Sequence, residues 1–299
     1  MKIPYGELAA LGTAFCWTAS SLAFTAAAKR IGSLALNLIR LFMALGLLTL
    51  TNWIRRGLPL PTDATPEAWM WLSLSSAAGF VFGDMALFQA FVLIGARLSM
   101  LVMALSPPIT AVLGWVVLGE ELDRLDALGM VVTLCGVAWV VLEQAPSPSE
   151  QEAPRERPMR GYLFALFGAV GQSVGLLLSK VGMKDYDPVA TTQIRVIVAS
   201  AAYLVLFVAL GWWGHVFRGV KHASGMGFTA LGALAGPFLG VTLSLVAIQR
   251  TQTGVAATIM SIVPVLIIPF VIVINKERVS PRAALGAGVA VSGVALLWL

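Results

Sequence analysis

Residues 143–158 read EQAPSPSEQEAPRERP, a run of Pro, Glu and Ser without one large apolar side chain. Such a segment buries too little surface to offset the entropy of ordering it, and it reads as a mobile linker. The flanks have the opposite character. Of the 299 residues 58% are hydrophobic and 12% charged, and the mean hydropathy is +0.87. A soluble domain carries about 25% charged residues because its surface faces water, so this surface must face lipid. One span needs about 20 mostly apolar residues. The apolar runs predict ten spans, at about 4–27, 34–53, 68–93, 98–117 and 124–142 before the linker, and about 159–180, 189–212, 224–248, 254–274 and 282–299 after it. The chain divides into residues 1–142, the linker and residues 159–299.

The two halves repeat. Gly6, Leu8, Lys29 and Arg40 align without a gap on Gly161, Leu163, Lys184 and Arg195. With one or two residues of drift, Gly79, Gly83 and Ala90 meet Gly236, Gly240 and Ala247; Pro108 and Glu121 meet Pro264 and Glu277; Gly129 and Gly136 meet Gly286 and Gly293. A unit of five spans is odd, so its second copy must enter the membrane in the opposite sense. The expected fold is therefore an all-α integral membrane protein of ten transmembrane helices arranged as two inverted five-helix repeats. Inverted repeats about an axis in the membrane plane are the architecture of many secondary transporters, with the site near the midplane.

Composition narrows the class further. The net charge of +5 comes from 20 Lys and Arg scattered singly or in pairs, which suits flanks of spans and not a nucleic-acid stripe. Cys16 and Cys135 each sit in an apolar run and indicate neither a disulfide framework nor a metal cluster. The first apolar run resembles the later ones and reads as a span, not a cleaved signal.

The residues also carry a resemblance. LNLIRLFMA (36–44), then GDMALFQAFVLIGARLS (83–99) continuing through Pro107 and Pro108 to Leu142, resembles the EamA-type repeat of the drug/metabolite transporter superfamily. Residues 254–299 are similar, but have Asn275-Lys276-Glu277 where the first copy has Gly119-Glu120-Glu121. The resemblance covers nearly all of the chain except the linker. It implies an export-type carrier of small metabolites in the cell (inner) membrane, with both termini cytoplasmic. Lys and Arg counts turn the termini outward instead, since Lys2, Arg55, Arg56, Arg124, Lys180, Lys184 and Arg250 are outnumbered on the opposite side. The expectation adopted is the cytoplasmic one.

A few polar residues lie deep in the apolar runs. Arg40 falls about 9 Å inside its span, where a charge must be paired, hydrated or snorkelling, and Arg195 is its repeat mate. Inversion places the two guanidiniums on opposite sides of the midplane. Asp84 is about 15 Å from the end of its helix, within side-chain reach of Arg40 if spans two and three are neighbours. The pair is the favoured reading, and a lone proton-binding carboxylate the alternative. Val241 stands at the repeat position of Asp84, so Arg195 inherits no partner. One reading has Arg195 facing a central cavity and attracting an anionic or carboxylate-bearing substrate, helped by Gln193, Gln172 and Ser173. The other leaves both arginines snorkelling or tying helices together.

Trp17, at the repeat position of Gln172, offers an aromatic wall, with Asn37 and Gln89 as further substrate-binding candidates. The hydroxyls of Thr18, Ser20 and Ser21 line a cavity or bond back to their own helix. Gly79, Gly83, Gly236 and Gly240 have the spacing that lets helices approach closely in lipid. Pro107, Pro108, Pro264 and Pro269 mark kinks. Glu120, Glu121 and Glu277 read as solvated caps or turn residues, and His215 and His222 as residues of a short loop without metal-site spacing.

The expectation is a secondary transporter working by alternating access on a small polar or amphipathic, amino-acid-like solute. It uses no cofactor, and a coupling proton or exchanged solute supplies the drive, since no ATP-binding signature is present. A membrane enzyme or a channel is the alternative; no deep His and no nucleophile with a recognisable base supports the enzyme.

Overall fold

The structure, a computed structural model, describes residues 4–143, 159–275 and 280–298. The linker 144–158 and Glu277 lie outside the described residues. The first half comprises α1 (Tyr5–Ile31), α2 (Ser33–Arg56), α3 (Pro66–Ser76), a π-helical stretch Ala77–Gly83, α4 (Asp84–Met103), α5 (Ser106–Leu113) with a second π stretch Gly114–Leu118, and α6 (Arg124–Glu143). The second comprises α7 (Met159–Met183), α8 (Pro188–Leu210), α9 (Trp213–Val220), α10 (Ala223–Ala233), a π stretch Leu234–Gly240, α11 (Val241–Arg250), α12 (Thr253–Met260), α13 (Val263–Asn275) and α14 (Pro281–Leu296). Among the described residues nine segments are long and apolar enough to cross a membrane, and α14 is a shorter apolar helix. The protein is a multi-pass membrane protein.

Local chemistry sets the helix ends. Thr65, Asp187 and Ser280 accept backbone N–H bonds at the starts of α3, α8 and α14, each followed by a proline that has no N–H to lose. Gly57 and Gly211 close the repeat-related helices α2 and α8 at φ of 70° and 66°, left-handed angles that a side chain would strain. Spans four and nine, expected as single helices, are each broken just before a proline: at Ala104-Leu105 ahead of Pro107, and at Ser261-Ile262 ahead of Pro264. Spans three and eight contain π turns at repeat-related places. Residues 213–220, expected as part of a loop, form α9, which lays Trp213 and Val216 against α2 while Phe217 stays exposed. Its alternation of apolar and basic residues suits a helix lying in the interface.

Contacts between glycines establish the inversion. Gly129, Gly136 and Glu143 of α6 lie against Leu297, Ala290 and Ser280 respectively, so α6 runs antiparallel to its repeat mate α14. The contacts are reciprocal, because Gly136 approaches the Gly286 carbonyl and Gly293 the Gly129 carbonyl. The same exchange recurs between spans three and six and spans eight and one: Gly79 faces Gly175 and Gly83 faces Gln172, whereas Gly236 faces Ser20 and Gly240 faces Trp17. These pairs superpose under the sequence repeat, which is what a twofold axis in the membrane plane produces. The close approach of Gly79, Gly83, Gly236 and Gly240 to neighbouring helices follows the spacing read from the sequence.

Glu7 bonds Thr251, Glu120 just before α6 bonds Thr253, and Gly129 early in α6 meets Leu297, so α1 begins and α14 ends on one face, here termed proximal. The largest apolar core, built from Ala10, Ala14, Leu245, Val255 and Ile259 among others, packs the proximal half and runs along the seam of α6 and α14 to Val140 and Val141.

Candidate functional site

Asp84 follows directly on the π stretch 77–83, whose widened turn leaves carbonyls free for side chains. Gln172 of α7 donates to the Gly79 carbonyl at 3.3 Å, and the Tyr203 hydroxyl of α8 donates to that of Phe80 at 3.3 Å. The same Gln172 amide donates to Asp84 Oδ1 at 2.8 Å. Arg40 Nη2 sits 3.1 Å from Asp84 Oδ2, the ion pair expected from the helix depths. Arg40 and Asp84 keep 14% and 16% of their side-chain surface open.

Arg195 enters the same region from the other repeat, beside Gly79 and Phe80. Its residue is 6% exposed and its guanidinium carbon lies 4.8 Å from the centre of the Phe80 ring. A methyl group at Gly79 would stand 3.4 Å from Arg195 Nη2, so the glycine makes room for the arginine. Val241 is buried and apolar, and no ion pair to Arg195 occurs among the described residues. The Nε atoms of Arg40 and Arg195 are buried without a hydrogen-bond partner. Asp84 pairs with Arg40, and Arg195 adds a second guanidinium nearby without an ion pair among the described residues, leaving a net positive charge between the repeats. Each is capped by an aromatic face, Arg40 by Phe24 at 5.3 Å and Arg195 by Phe80, a contact that favours cations where water is scarce.

The other candidates scatter. Trp17 is half-buried with its indole against Gly240, and Asn37 is buried about one turn before Arg40. Gln193 does not share the pocket of Arg195. Positions two apart are rotated about 200° around a helix, so they face different neighbours. Gln193 is buried among α2 and the following loop, donating to Thr49 Oγ1 at 2.9 Å and the Pro59 carbonyl at 2.8 Å and accepting from Asn52 at 2.8 Å. Gln193→Ala is expected to cost about 1–3 kcal/mol by orphaning those groups. That loss would show as a lower melting temperature in detergent with substrate affinity unchanged.

Ser173 faces Ser106, with the two hydroxyl oxygens 2.9 Å apart. Gln89 is exposed, rotated about 140° from Asp84 around α4. Thr18, Ser20 and Ser21 bond back to carbonyls of their own helix. His222 Nδ1 caps α10 by accepting from Gly225.

Glu120 departs from the solvated cap expected of it. Its Oε1 accepts from Lys180 at 2.6 Å, and its Oε2 from the Thr253 backbone at 2.8 Å and hydroxyl at 2.7 Å. Position in sequence marked a helix end; only the packing shows that this end is covered by the other repeat. Phe24, Phe80 and Tyr203 were likewise invisible as site residues, because an aromatic in an apolar run carries no signal of what it faces.

A bundle of two inverted five-helix units around a buried, partly accessible cationic cluster has the form of a membrane carrier. The chain belongs to the EamA-like transporter family, whose model matches residues 4–142 and 159–299. It is similar to an uncharacterized membrane protein of Saccharomyces cerevisiae, 26% identical over 151 residues, covering 46% of this chain and 36% of that protein. It is also similar to a "Probable transport protein" of the same yeast, 23% identical over 191 residues, covering 59% of this chain and 54% of that one. The matches thus span between a third and just over half of these relatives' length. A solved structure titled only as that of a protein superposes with a TM-score of 0.71 at 17% identity, over 97% of this chain and 94% of its own, and shares the fold.

Proposed function

We propose that this protein is a secondary carrier, not an enzyme, and that it moves a small anionic or carboxylate-bearing solute, amino-acid-like in size, between the two repeats by alternating access. The observation that carries this reading is the imbalance at the centre: Arg40 and Arg195 against Asp84 alone, with Arg195 stacked on Phe80 and short of partners. A solute carboxylate supplies the missing negative charge and accepts from the guanidinium. Trp17 and Phe24, near Gly240 and Arg40, offer an apolar wall for the rest of an amphipathic molecule. Asp84, bonded to Arg40 and Gln172, serves as counter-ion, which leaves the drive to a coupling proton elsewhere or to an exchanged solute. Export from the cytoplasm, across the cell membrane and with cytoplasmic termini, is the direction adopted, supported by the family's resemblance. Labelling of an introduced cysteine on the proximal face in intact cells tests the orientation.

The transport reading is tested by counterflow in proteoliposomes, using a panel of amino acids and small carboxylates. The expected result is saturable counterflow of a carboxylate, with Arg195→Ala raising half-saturation about tenfold or more, the equivalent of one charge-assisted bond. Arg195→Lys is expected to recover part of the loss, because the charge returns without the planar fork. Full transport and affinity in Arg195→Ala would overturn the assignment. Flux without saturation would indicate a channel, and product formation in open membranes an enzyme.

A further inference from the structure

The side-chain bonds of Glu120 cross between the repeats. Glu120, just past the end of span four, grips Lys180 of α7 and Thr253 at the start of α12. Lys180 also donates to the Thr251 carbonyl at 2.9 Å, and the Thr251 hydroxyl donates to Glu7 of α1 at 2.8 Å. Lys180 and Glu120 keep only 24% and 13% of their side-chain surface open. The methylene of Gly114 leaves the room that the carboxylate occupies.

This cluster stands between the site and the proximal face. Gln172, Leu176 and Lys180 recur every four residues on one face of α7, so the latter lies about 12 Å below the site. The intervening space belongs to the large core, to which Leu176 contributes. Under the repeat, the position of Lys180 is taken by Thr25 and that of Glu120 by Lys276. The inverted counterpart of the ion pair, which would close the distal face, therefore cannot form from these residues.

We propose that Glu120 and Lys180 are a one-sided latch that holds the proximal face shut, so that the unliganded carrier rests open toward the distal face. The proposal rests on the alternating-access reading above, but its test needs no substrate. In a background with Cys16 and Cys135 replaced by alanine, a reporter cysteine is placed at Leu176, between site and latch, or at Ser21, one turn from Trp17 toward the distal face. Each reporter is labelled with a membrane-impermeant maleimide from its own side, with and without Glu120→Gln.

The amide keeps the shape of Glu120 but loses its charge. Labelling at Leu176→Cys is expected to rise about tenfold, the population change that weakening one charge-assisted bond brings. Labelling at Ser21→Cys is expected to fall in step, since opening one face closes the other. An unchanged rate at Leu176→Cys overturns the latch. So does a rise at both reporters, which is the sign of local unfolding. If the reporters respond reciprocally while no solute shows counterflow, the latch stands and the carrier reading falls.

Discussion

Asp84→Ala is expected to destabilise the protein by about 3–5 kcal/mol, the cost of leaving buried charge without its counter-ion. Arg40 pairs with Asp84 at 3.1 Å, and the neighbouring Arg195 has no ion pair of its own among the described residues, so removal of the carboxylate leaves two cations without a counter-ion. Both guanidiniums lie within membrane-spanning helices, where water cannot replace the lost charge freely. Asp84→Asn should do less harm, since an amide still accepts from Gln172. The decisive comparison is a double variant. Arg40→Gln in the Asp84→Asn background should regain part of the stability that Asp84→Asn alone loses, because one of the two uncompensated cations is gone. Melting temperatures in detergent, read by monodispersity on size exclusion, measure all three. Additive losses in the double variant would show that the two residues do not act on each other.

Gly136→Val is expected to be nearly as damaging for a purely steric reason. Any Cβ at Gly136 overlaps the backbone of Ala290, and one at Gly293 overlaps that of Thr133, so α6 and α14 must separate along their length. Overpacking of a rigid backbone contact costs about 3 kcal/mol or more, because no rotamer change relieves it. Gly46→Ala provides the control. Gly46 is exposed on α2 with nothing near its missing Cβ, and the change should be neutral or mildly stabilising through helix propensity. Cell-surface yield and melting temperature should separate the two glycines cleanly.

The pair of Arg40 and Asp84 shows why depth can be read from a sequence. Both charges sit inside apolar runs, and the rise per residue places them at similar heights. What depth does not provide is azimuth. Gln193 and Arg195 are close in sequence and in height, yet one ties α8 to α2 and the other turns to Gly79 and Phe80. Gln89 and Asp84 share α4, but the glutamine faces outward. Glu120 exposes a further limit: its partners, Lys180 and Thr253, come from the opposite repeat, and no pattern local to residues 114–124 marks their arrival.

The amino-acid order alone determined that this chain lives in lipid, that it is one five-span unit used twice, and that the copies oppose each other. These follow from composition, period and the parity of a count, all of which are additive along the chain. Only the packed molecule decided which side of each helix meets which neighbour. That is why the placing of Arg195 beside Gly79, the aromatic caps on both cations and the bonds of Glu120 to the opposite repeat emerge from tertiary structure. They depend on rotations about helix axes, and those rotations are set jointly by every helix in contact.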